Sequence, residues 1–107
     1  MGFKIKQNDT SPVIQAVLTD ANDAAVDLTG AGIRFHMKKY RGTSTKVDAA
    51  AAIVDEDTGT VKYIWQSADT DTVGSYQAEF EVTFSDGTVE TFPNSDYIQV
   101  DILDDIA

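Results

Sequence analysis

Few side chains in this sequence are suited to covalent chemistry. There is one histidine, His36, and no cysteine. His36 alternates with Phe35 and Met37, which puts it on the outward side of a strand as a surface group, not a base or a ligand. With no thiolate and a single imidazole, a transition-metal site lacks its usual ligands. There is no Gly-x-Ser-x-Gly elbow and no glycine-rich phosphate loop. Carboxylates are the abundant resource, with 14 Asp and 4 Glu against 8 Lys and Arg. Glu79 and Glu81 share one strand face, roughly 6–7 Å apart by strand rise. A glycosidase needs two carboxylates opposed across a cleft, and a filled sandwich of 107 residues leaves little room for one. The acids best placed for calcium are Asp55, Glu56 and Asp57 with the Asp69/Asp71 pair, hard oxygen donors that could converge at one end of a sandwich. The first group resembles only the opening of a calcium loop and lacks its terminal glutamate. No catalytic residue, cofactor or resident metal is expected.

The formal charge of −10 disfavours nucleic acid, because so acidic a body repels phosphate backbones. Most of the aspartates fall in turn-like clusters, where a short carboxylate bonds nearby backbone amides. The bases are grouped: Lys4 and Lys6 in the first strand, and Arg34, Lys38, Lys39, Arg41 and Lys46 in one later region. Such polarity suits a protein that is oriented within an assembly. The opening residues hold no apolar run of signal-peptide length, and no stretch elsewhere approaches the run of roughly 18 apolar residues needed to span a bilayer. Neither secretion by the usual route nor membrane residence is expected.

The elements that would position these groups are strands. From Tyr76 the chain alternates without a break, with Tyr76, Ala78, Phe80, Val82 and Phe84 on one side and Gln77, Glu79, Glu81 and Thr83 on the other. Period two over nine residues marks a half-buried strand. Phe3–Lys6 reads as an edge strand with Phe3 and Ile5 inward and the lysines outward, where charge discourages stray pairing. Val13–Thr19 follows with Ile14, Ala16 and Leu18 inward. Leu28 is expected to plug the connection into the next strand, where Ile33, Phe35 and Met37 oppose Arg34, His36 and Lys38. Arg41–Thr45 is a flexible tip. Val47–Val54 is ambiguous, since Ala49–Ala52 favours helix intrinsically, but its neighbours and length favour a strand. Gly59 ends the tight turn that begins at Asp55, and Val61, Tyr63 and Trp65 share the next inward face. Asp86-Gly87 suits a hairpin with a primed turn, Thr88–Phe92 pairs back, and Tyr97–Leu103 closes the sheet with Ile98, Val100 and Ile102 inward. Asp104–Ala107 reads as a loose end.

About seven or eight short strands with turns every 8–12 residues describe an all-β, immunoglobulin-like antiparallel β-sandwich, expected as one domain over residues 1–107. Tyr76, opening a long strand after a corner loop, is placed like a tyrosine corner, whose hydroxyl ties the corner to backbone. Core packing accounts for most aromatics. Tyr40, Phe92 and Tyr97 lie near strand ends. Together with Lys4, Lys6, Arg34, Lys38 and Arg41 they form the candidate interface.

A short first strand and polar break come first, then Val13–Asp20, Val26-Asp27-Leu28-Thr29-Gly30-Ala31, Asp57–Tyr63 and Gly74–Phe80. Asp86-Gly87 with Thr91-Phe92-Pro93, and Tyr97–Val100, complete an order that spans nearly the whole chain. In that order and spacing the sequence resembles the N-terminal immunoglobulin-like domain of phage baseplate upper proteins and related short virion proteins. The resemblance implies a non-enzymatic virion component, made in host cytoplasm, that docks onto other tail or baseplate proteins in a homo- or hetero-oligomeric assembly. It carries over no catalytic residue. Baseplate members continue into a helical linker and a receptor-side domain, whereas this sequence stops at Ala107. A free-standing capsid decoration protein therefore stays open as an alternative, as does a carbohydrate- or cell-surface-binding module assisted by calcium.

Overall fold

The alternation that begins at Tyr76 produces the strand on which the sheet is centred. A computed structural model describes residues 2–106; Met1 and Ala107, the limits of the expected span, lie outside the described residues. In chain order the strands are β1 (Gly2–Lys6), β2 (Ile14–Val17), β3 (Gly32–Lys39), β4 (Thr45–Asp55), β5 (Thr60–Tyr63), β6 (Gly74–Thr83), β7 (Val89–Phe92) and β8 (Ile98–Leu103), with one 3-10 turn at Ser67–Thr70. They hydrogen-bond in the order β1-β8-β6-β3-β4-β5-β2, and β7 also joins β6. β3 lies along one edge of β6. On the other edge β8 pairs with the Gly74–Ala78 half and β7 with the Phe80–Thr83 half. The sheet curls almost into a barrel and gives an all-β, sandwich-like fold.

The polyalanine segment is strand throughout. Along β4, Ala51 and Ala49 stand opposite Ile33 and Phe35, so small residues meet large ones on the inner face. Helix propensity yields here because a strand can bury Val47 and keep both backbone ladders. β4 pairs with β3 over Thr45–Ala51 and with β5 over Ala52–Asp55, so it belongs to both layers. The edge strand β1 is also where expected, but its pairing with β8 is parallel, Gly2 opposite Gln99 through Lys6 opposite Leu103. An antiparallel neighbour can be joined by a hairpin, while a parallel one needs a long connection. Here the rest of the fold is that connection.

Phe35 is the hub of the core. Its fully buried ring stacks on Tyr63 at 4.6 Å, meets Trp65 edge-on at 5.5 Å and tilts against Phe80 at 5.2 Å. Such geometries suit the quadrupoles of aromatic rings. Leu28 is completely buried, as its place beneath the connection required.

Turn chemistry explains several of the aspartates. The Oδ1 of Asp20 accepts from the amides of Asn22 and Ala24. Asp27 accepts from the amide and hydroxyl of Thr29, and Asp86 accepts likewise from Thr88. These bonds hold both carboxyls below the ordinary carboxylate value. The β6–β7 hairpin differs from expectation. The Gly87 amide donates to the Phe84 carbonyl and the Phe84 amide to the Thr88 carbonyl. Only Gly87 takes positive φ, +89°, so the turn is not a primed one; a three-residue loop with glycine in the left-handed region closes it instead. Gly59 is constrained most tightly. It holds φ at +68°, and a Cβ there would sit 2.7 Å from the carbonyl oxygen of Leu18 and 2.9 Å from that of Val26.

Candidate docking surface

The strict alternation of β3 and β6 buries one side of each strand and turns the other outward. On β3 the outward residues are Arg34, His36 and Lys38, and β6 sets Glu81, Glu79 and Gln77 opposite them in that order. Asp48 of β4 completes the row beside His36. Opposite charges on facing positions favour this register. Arg34 Nε donates to Asp48 Oδ1 at 2.9 Å, and this bond, more than the nearby His36, holds the Asp48 carboxyl below its ordinary value. His36 stands between two carboxylates, its Nε2 3.2 Å from Asp48 Oδ1 and its Nδ1 3.5 Å from Glu79 Oε2.

The same face continues sideways. On β8, Asp101 accepts from the Ser75 hydroxyl at 2.9 Å. Lys4 stands in register with Asp101, so the β1 lysines lie on this outer face too. Lys6 Nζ donates to the Asp104 carbonyl at 3.2 Å. Five strands at about 4.8 Å spacing make the face about 19 Å wide between β4 and β1. Near its middle is a groove of about 550 Å³, lined on one side by Thr45 and Asp48 and on the other by Asp96 and Tyr97.

At one end of the groove Tyr40, 45% exposed, tilts against Tyr97 with ring centres 6.5 Å apart. The guanidinium of Arg41 lies 5.3 Å from the centre of the Tyr40 ring, close enough for cation–π attraction. Seven of the eight candidate interface residues thus fall on one sheet face or its rim. Phe92 is the exception. It stands opposite Phe80 and is 3% exposed, so it is a core residue and leaves the surface set. A strand-end position suggested exposure, but the hairpin register carries Phe92 onto the buried side. Asp48, Gln77 and Asp96 are lining residues that the sequence did not single out. The first two were legible in principle from strand alternation, whereas Asp96 lies in the link between β7 and β8 and gives no pattern.

The acids best placed for calcium are not brought together. Asp71 is engaged by Lys46 Nζ at 2.6 Å, near the start of β4, while Asp55 ends that strand. Nine residues of strand put roughly 30 Å between them. Asp69 is taken up by the Tyr63 hydroxyl and the Gln66 amide. Among the described residues no group of three His, Cys, Asp or Glu is arranged to hold a metal. The tyrosine corner does form: Tyr76, 2% exposed, donates its hydroxyl to the Thr72 carbonyl at 2.7 Å. No helix among the described residues is long and apolar enough to cross a membrane.

Compared with known families, residues 2–98 match the family model of the BppU N-terminal domain. No curated protein matches the chain.

Proposed function

This chain belongs to the BppU (baseplate upper protein) N-terminal domain family and is a phage baseplate structural domain that assembles with other virion proteins, and from that premise we propose that it works by docking, without catalysis, through the outer face of β4-β3-β6-β8-β1. The observation that carries this reading is that Arg34, Lys38, Tyr40, Arg41 and Tyr97 lie on one sheet face or its rim, with Lys38 and Tyr97 lining its groove and Lys4 and Lys6 at the margin of the same face. Exposed tyrosine and arginine are the residue types enriched at protein interfaces, and a rigid sheet presents them at little entropic cost. The net charge of −10 makes a protein surface a better partner than a nucleic acid. The virion is the place of action, after synthesis in the host cytoplasm. The unit that docks is the single domain of residues 1–107.

Mass spectrometry of purified virions, with cross-linking, tests the proposal. Cross-links from Lys38, Lys4 or Lys6 to another baseplate or tail protein are the expected result. Absence of the chain from virions that hold every other structural protein would overturn it, as would cross-links arising only from Lys62, on the opposite layer.

A further inference from the structure

The groove beside Tyr97 holds carboxylates that the fold leaves unused. Asp20, Asp27, Asp55 and Asp86 accept from local amides or hydroxyls, and Asp69, Asp71 and Asp101 each have partners. Glu79 differs: its Oε2 meets His36 only at 3.5 Å, its Oε1 makes no hydrogen bond, and its side chain is 43% exposed. Asp96 makes no hydrogen bond or ion pair among the described residues and lines the same groove. Tyr97 forms the wall next to them. Asp48 is already paired with Arg34, so Glu79 and Asp96 face one further base, Lys38, and the groove is negative while His36 is neutral. The molecule contains its own example of what such a place accepts, since Arg41 lies over Tyr40 at the rim.

We propose that the groove receives an arginine side chain from the neighbouring protein, its guanidinium stacked on Tyr97 and hydrogen-bonded by Glu79 and Asp96. A planar fork of N–H donors matches carboxylates and stacks on aromatic rings better than an ammonium does. The occupant rests on the docking reading above; the site itself can be tested without it. The probe is a blocked tetra-arginine peptide titrated into the isotope-labelled protein and followed by NMR at low salt, with tetra-glutamate as the control. Shifts confined to amides near Gln77–Glu79 and Asp96–Tyr97 are expected. The Glu79→Gln/Asp96→Asn double variant should weaken binding by about tenfold or more, and Tyr97→Leu should weaken it as well, both with unchanged spectra elsewhere. Undiminished binding in the double variant, shifts spread equally over the acidic turns near Asp20 and Asp55, or no saturable binding at all would overturn the inference. If those failures occur while virion cross-links from Lys38 persist, docking stands and only the arginine site falls. Peptide binding with no cross-links would have the reverse meaning.

Discussion

The two sides of the β3–β6 ladder are built from the same backbone hydrogen bonds but to different ends. Inward, Ile33, Phe35 and Met37 meet Val82, Phe80 and Ala78, and all six are buried. Outward, Arg34, His36 and Lys38 meet Glu81, Glu79 and Gln77 and remain in contact with water. The inner side gains from removing apolar surface and from close packing, so each atom counts toward stability. On the outer side, exposed ion pairs contribute little to folding, so those positions are free to be specified by what binds there. The pleat of one pair of strands thus separates the side that carries stability from the side through which we propose docking.

The sharpest break of this contrast is Phe35→Ala, which removes the aromatic hub. It should cost about 3–5 kcal/mol in denaturant unfolding, whereas Arg34→Ala one position away should cost about 0–1 kcal/mol. Near-equal losses would show that the outer row carries the fold. Tyr76→Phe comes next. It keeps the ring and leaves the Thr72 carbonyl without its donor, for about 1–2 kcal/mol, read from the same transition.

A pH series sharpens the comparison. Asp27, Asp48, Asp71 and Asp86 are held below the ordinary 3.8 by their hydrogen bonds. Because their folded values are depressed, their stabilising effect is complete above that value and is lost as pH falls toward the folded ones. Tm should therefore drop in acid. Burial raises Tyr63 and Tyr76 above 10.0, helped at Tyr63 by the Asp69 carboxylate. These groups support the fold below pH 10.0 and cease to as pH rises through their folded values, so a second loss in alkali belongs to the interior. Tyr63→Phe should lessen it. The smallest effect expected is from EDTA: Tm should not move, and a fall of several degrees would mean that the separated acids hold metal after all.

Much of this organisation can be read from the chain because β-structure writes its exposure pattern with period two. The inward set of β6, the edge lysines of β1, the buried Leu28 and the Tyr76 corner are all local consequences of residue type and spacing. What could not be read is set by pairing between distant segments. Nothing local in Gly2–Lys6 says that it will run parallel to Ile98–Leu103. Nothing near Phe92 shows its position opposite Phe80 until the form of the Asp86-Gly87 turn fixes the register. The groove is a product of three strands and a linker, so Tyr97 and Lys38 were legible as candidates but their meeting with Asp96 was not. The calcium candidate could not be judged from sequence for the same reason: two acidic clusters alike in composition lie at opposite ends of the longest strand.

The parallel pairing of β1 with β8 has a mechanical consequence. A pull entering at Gly2 and leaving at Leu103 acts on opposite ends of two adjacent strands that run the same way. Such a load cannot peel the ladder open one bond at a time. It must slide the strands past each other, and all five register pairs from Gly2–Gln99 to Lys6–Leu103 share the force together. Under such a load this edge would behave as a lap joint rather than a zip.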